Sequence, residues 1–187
     1  MQDKKPTAFE RNLAITDVET TGLDWHTHEI LEIGVLVIDQ NTFETRDELE
    51  VRVRPEHIET GDPRSLEIAG YNEKEWEGAL PLGEAMRRYA AKVEGCIFVA
   101  HPMTVDFSFI DQAFKKTGVE NPMHYHQLDL FSMAWALKKE DETLPKITLH
   151  ELTRYFDLPS EPTPHRALNG ARLALEILKR LVAPERA

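Results

Sequence analysis

The chain has 187 residues, a formal net charge of −11, 41% hydrophobic and 29% charged residues, which suits one globular domain with a sizeable core. No apolar run approaches the ~18–20 residues that cross a bilayer, so no membrane partner is expected, and the acidic balance argues against a basic face that coats long duplexes. The single cysteine, Cys96, excludes an internal disulfide and a thiolate zinc site; with no apolar stretch after Met1 to mark a secretory signal, a cytoplasmic location is expected.

In chain order, residues 1–10 read as a flexible leader and residues 11–183 as a single domain. Residues 13–17, 30–39 and 49–53 are rich in apolar and β-branched side chains bounded by polar turns, and predict three strands in an antiparallel meander. Residues 55–78, which hold Pro63, predict a long irregular connection with short helical pieces. Helical spacing over 82–93 is followed by a short apolar strand over 96–100. Helices are expected over 107–116, 130–138, 148–156 and 167–181, with a further short strand over 124–129. A strand meander followed by alternating strands and helices implies an α/β fold, a mixed sheet with helices on both faces.

The first strand ends in Asp17 and Glu19, spaced i, i+2. In a strand this spacing sends both side chains to one face. Paired carboxylates repel unless a cation lies between them, so the pair asks for a hard metal with oxygen ligands. Thr20, Thr21 and Gly22 then break the strand. Taken alone, such a pair is usually a solvated strand end, Asp106 reads as a helix cap, and His165 is an ordinary loop histidine. Their order along the chain turns the balance.

Asp17-Val18-Glu19-Thr20-Thr21-Gly22-Leu23, the segment from Ala100 to Asp106, and the segment from His165 to Ala171 resemble the three motifs of the DEDDh 3′–5′ exonucleases. That family lies in the ribonuclease H-like superfamily and includes the proofreading epsilon subunit of bacterial DNA polymerase III. The resemblance implies a ribonuclease H-like mixed sheet and hydrolysis of phosphodiester bonds at single-stranded DNA or RNA 3′ ends. It also implies two divalent ions, Mg²⁺ or Mn²⁺, about 3.5–4 Å apart. By similarity Asp17 bridges both ions, Glu19 binds the one that holds the attacking water, and Asp106 holds the other. His165 is the general base, a role its ordinary pKa of ~6.5 suits. Thr20, Gly22 and Leu23 contact the terminal nucleotide, and His101 is carried as a substrate-side residue for which packing outweighs catalysis. A polymerase or another protein is a candidate partner.

The departures matter as much. The family's third motif carries an aspartate where this chain has Gly170, and its second carries an asparagine where this chain has Pro102. Asn169 cannot take over, because neighbouring helical positions diverge by about 100°. One ion is therefore expected to be weakened. The alternative is a weak or inactive exonuclease-like module that binds nucleic acid ends or a protein partner. His26, His28, His124 and His126 read as surface or packing residues. Lys115, Lys116, Arg87 and Arg88 read as solvated helix faces and as the best candidates for steering phosphate.

Overall fold

The structure, a computed structural model, describes residues 6–183. Three antiparallel strands come first: β1 (Asn12–Thr20), β2 (Ile30–Asp39) and β3 (Thr45–Arg52). Two short helices, α1 (Pro63–Ala69) and α2 (Glu73–Trp76), occupy the long connection. Then follow α3 (Leu82–Lys92), β4 (Ile97–Ala100), α4 (Met103–Thr117), β5 (Gln127–Asp129), α5 (Leu130–Lys138), α6 (Leu149–Tyr155) and α7 (Ala167–Val182). The sheet order is β3-β2-β1-β4-β5, with β4 parallel to both β1 and β5. The mixed sheet with a meander and parallel strands is the one the sequence predicts. Residues 1–5 of the expected leader and 184–187 of the tail lie outside the described residues, while Ala8–Glu10 form one 3₁₀ turn. Among the described residues, no helix is long and apolar enough to cross a membrane.

Alternation along β1 sorts its side chains between two cores. Ala14 and Val18 face the layer built by Tyr89, Phe109, Ile110 and Phe114 of α3 and α4. Leu13 and Ile15 face Leu168, Ala171, Leu175 and Leu178 of α7. Asp17 and Glu19 continue the Leu13–Ile15 side by the same period of two, so both carboxylates point toward α7. On β2, paired residue for residue with β1, Gly34 lies opposite Asp17 and Glu32 opposite Glu19.

Gly34 sets how close α7 can come. A Cβ there would overlap the backbone of Ala167 and Leu168, the first turn of α7. Glu32 is the matching electrostatic contact. It is 1% exposed, and its Oε1 accepts the Ala167 N–H at 2.9 Å. A carboxylate at a helix N-terminus satisfies an orphan donor and meets the positive end of the dipole. Arg52 Nε stands 3.6 Å from the other oxygen and balances the buried charge.

Helix α4 begins four residues earlier than the sequence indicates. Pro102, whose ring suits an entry into a helix, stands at its N-cap, and Asp129 Oδ1 accepts the Met103 N–H at 3.1 Å. Asp106 is thereby inside the first turn rather than capping it. Strand β5 is shorter than expected and starts at Gln127.

Replacing Gly34 by alanine is expected to cost about 1–3 kcal/mol through overpacking. For a chain of this size that is a fall of roughly 2–4 °C in melting temperature per kcal/mol. Thermal denaturation of G34A checks it, and an unchanged melting temperature would show that α7 does not rest on this contact.

Candidate active site

The site forms where β1 outruns its parallel partner. β4 pairs with β1 only over Leu13–Ile15, so β1 projects alone on that side beyond Ile15. Such splits at the carboxyl ends of parallel strands are where α/β sheets hold ligands. The Val18 N–H, with no strand to bond, donates instead to Asp106 Oδ1 of α4 at 3.1 Å. That bond ties Asp106, 5% exposed, to the strand that carries Asp17 and Glu19.

From the opposite side comes the segment between α6 and α7. Glu161 Oε2 lies 3.5 Å from His165 Nδ1. One potential ligand atom from each of Glu19, Glu161 and His165 lies within 4.8 Å of the others. Asp17, Glu19, Asp106 and His165, the residues singled out by spacing, thus share one end of the sheet with an unanticipated fifth group. The His165 side chain is 41% exposed and open to solvent.

Residues around His165 explain how it is held. The His165 N–H donates to the Ile68 carbonyl at 3.0 Å, which stitches the loop to α1. Arg166 Nη1 donates to the Ala69 carbonyl at 2.8 Å, and Nη2 to Glu75 Oε2 at 3.2 Å. Its guanidinium lies over the Trp76 ring at 5.9 Å, and Arg52 lies over the same ring at 4.7 Å. Trp76 in turn donates its indole N–H to the Leu31 carbonyl. The His-Arg-Ala-Leu run therefore has a physical division of labour. His165 faces the site, Arg166 clamps α1 and α2, the Ala167 N–H takes the Glu32 cap, and Leu168 enters the core.

Gly170 lies directly against Asp17. A Cβ at position 170 would sit 2.5 Å from Asp17 Oδ2 and 2.7 Å from its Cγ. The Asp17 carboxylate, the far end of its side chain, occupies the space that a Cβ there would enter.

Charge crowding dominates the electrostatics. Burial, reinforced by the nearby Asp17, Glu161 and Glu32, pushes the Glu19 carboxyl up to about 9. Asp17 is raised by burial and by Glu161 and Glu32, and Asp106 by burial and by Asp17. Glu161 is raised by burial, with His165 and the Arg166 backbone acting the other way. For each of the four acids burial is the largest cause of the upward shift, and the neighbouring carboxylates add to it for Asp17, Glu19 and Asp106.

The turn after β1 is tightly built. Thr20 Oγ1 donates to the Gly22 carbonyl at 2.7 Å, and a Cβ at Gly22 would meet the His28 ring at 2.5 Å. Leu23 is left 75% exposed beyond it. His101 lies elsewhere, 6.5 Å from the Phe131 ring, in a cavity of about 670 Å³ lined also by Thr104, Asp129 and Ile147. Burial lowers its pKa. The proposed steering cations are committed to acids: Lys115 to Asp111, Lys116 to Glu56, and both Arg87 and Arg88 to Glu84.

Sequence reasoning missed Glu32, Glu161 and the clamp at Arg166. Glu32 had a usable signal, an acid inside the apolar run of β2, since such residues are seldom buried without a partner. Glu161 had none, because it sits in a loop without periodicity.

The raised Glu19 gives a signed prediction for metal-free protein. Its carboxyl stands near 9 when folded against 4.5 ordinarily, so the native state binds the proton more tightly than the unfolded chain. Its contribution is fully present below about 4.5 and is lost as pH rises toward 9. In EDTA, wild-type melting temperature should fall across that window, and Glu19→Gln should flatten the fall. A wild-type melting temperature that rises or stays level there would contradict the crowding.

The RNase T family model, described as an exonuclease, matches residues 14–178. The "DNA polymerase III PolC-type" of Thermotoga petrophila is 28% identical over 182 residues, 94% of this chain but 12% of the polymerase. Ribonuclease T of Actinobacillus pleuropneumoniae is 31% identical over 124 residues, 59% of this chain and 57% of that protein. The chain thus spans only a small part of the PolC-type polymerases it matches. Among solved structures, the nuclease domain of 3′hExo, a DEDDh family member bound to rAMP, has a TM-score of 0.75 at 17% identity, covering 95% of this chain and 94% of that one. E. coli exonuclease I with a 5cy-dT13 oligonucleotide has a TM-score of 0.78 at 15% identity, covering 94% and 41%. These structures share the fold. The resemblance read from the three motifs is borne out by the match along nearly the whole described chain, which belongs to the RNase T exonuclease family.

Proposed function

We propose that the chain is an active 3′–5′ exonuclease that shortens single-stranded DNA or RNA from the 3′ end, using two divalent cations, Mg²⁺ or Mn²⁺. The observation that carries this reading is the convergence of Asp17, Glu19 and Asp106 with His165 at the open end of β1. The donor set fits hard cations. Carboxylate oxygens predominate, burial and mutual repulsion raise the acids, and Glu161 Oε1 is buried with no hydrogen-bond partner among the described residues. Asp17, Glu19 and Asp106 would hold the cations, which when bound supply charge to the phosphate and acidify a water.

The chain's own residues supply the rest. His165 takes the proton of the attacking water, and its partial exposure lets that proton pass to solvent. Exposed Leu23 packs against the terminal base as a wedge, while the Thr20–Gly22 turn presents backbone to the sugar. With Lys115, Lys116, Arg87 and Arg88 paired to acids, grip on the strand rests on the cation site and these contacts. The PolC-type likeness supports a polymerase as one partner class, and the lone buried Cys96 supports a cytoplasmic location.

A second reading, the weak or inactive module, has Gly170 as its observation. A 5′-labelled single-stranded oligonucleotide separates the two. With Mn²⁺ the protein should yield a ladder of shortened products. Asp17→Asn should abolish it, and His165→Ala should slow it by about 10²–10⁴-fold, the usual worth of a positioned base. Absence of shortening on both DNA and RNA, at any pH from 6 to 9, would leave only the module.

A further inference from the structure

We propose that Glu161 is the fourth carboxylate of the cation site, supplied from the loop before α7 in place of a side chain at residue 170. The proposal rests on the exonuclease reading above and adds a residue that none of the three motifs contains. Its first support is that position 170 carries no side chain, and that the Asp17 carboxylate occupies the space a Cβ there would enter. Helix α7 lies so close to β1 that even a Cβ there would press on Asp17 Oδ2 at 2.5 Å. Gly34 permits the same close approach one strand away.

The second support is the state of Glu161 itself. Its side chain is 11% exposed, and Oε1 is fully buried yet receives no hydrogen bond among the described residues. A buried carboxylate oxygen without a donor is costly. Its neighbours are a carboxylate, Glu19, and an imidazole, His165, with a ligand atom of each within 4.8 Å, and the Arg166 backbone, which offsets the burial of its charge only in part. A divalent cation between Glu161 and Glu19 resolves the orphaned oxygen and the repulsion together.

The third support is the other oxygen. Oε2 faces His165 Nδ1 at 3.5 Å. When Nδ1 carries the ring proton and donates it there, the lone pair of the neutral ring resides on Nε2, ready to accept a proton. One carboxylate then holds a cation with one oxygen and orients the base with the other. Carboxylates that steady an imidazole beside a metal are a common arrangement.

Manganese binding tests this directly. Mn²⁺ titration of the whole chain, read by electron paramagnetic resonance of the free ion, should give two sites in wild type. The isosteric Glu161→Gln should weaken one site more than tenfold and leave the other unchanged. Its metal-free melting temperature should rise, because a repelling charge is gone, and this also shows that the variant folds. Glu161→Asp, shorter by one methylene, should fall between. Wild-type affinity and stoichiometry in both variants would overturn the proposal while leaving an active wild type, and the exonuclease reading, intact. Wild type that binds two ions, one of them weakened in Glu161→Gln, without shortening any oligonucleotide would instead sink the exonuclease reading and keep Glu161 as a ligand.

Discussion

The first turn of α7 resting on the backbone of β2 is the contact on which the site depends. Gly34 removes the one Cβ that would hold the helix off, and Glu32 accepts the Ala167 N–H from beneath. Once α7 is seated there, His165 must lie over the end of β1, and residue 170 must face Asp17. Close approach and chemistry are thus linked. A helix lowered onto a sheet brings an imidazole to the carboxylates, and it also brings position 170 against the Asp17 carboxylate.

Burying several acids at one strand end opposes folding, and the structure shows how the cost is contained. Glu32 is the best compensated, with a helix N-terminus on one oxygen and Arg52 near the other. Arg166 lowers the Glu19 carboxyl somewhat from across the loop. Asp106 gains a backbone donor from Val18. None of these supplies a full counter-charge within the site, and a residual negative field there is what a divalent cation binds. The lysines and arginines of α3 and α4 named above do not dilute that field, because each is paired locally with an acid.

Much of the fold was legible because its signals are local. Apolar runs bounded by turns place β1, β2 and β4, and period two alone puts Asp17 and Glu19 on one face. The start of α4 was not legible, because the Met103 N–H is satisfied by Asp129, twenty-six residues away. Glu32 was legible as an acid within an apolar run, but its partner, the Ala167 N–H 135 residues away, was not, and Arg166 was concealed by its partners on α1 and α2. Gly170 was visible as a departure but not its consequence. Sequence spacing reveals that a carboxylate is missing from a helix, whereas only packing reveals that Asp17 has filled the space and that a loop acid stands nearby.

A carboxylate on a helix is aimed by the helix, whereas one on a loop must be aimed by what holds the loop. Here Pro162 and Pro164 restrict the backbone between Glu161 and His165. The next residues are fixed by the His165 N–H on Ile68 and by Arg166 on Ala69 and Glu75. His165 and Glu161 therefore ride on one short segment clamped at one end to α1 and α2. Cation binding and orientation of the imidazole cannot vary independently in such an arrangement, since both are read through Glu161. A ligand at position 170 would leave the two functions separate, on different elements. Moving the carboxylate to the loop joins them, and makes the Arg166–Trp76–Arg52 stack, which touches neither cation nor substrate, part of what positions both.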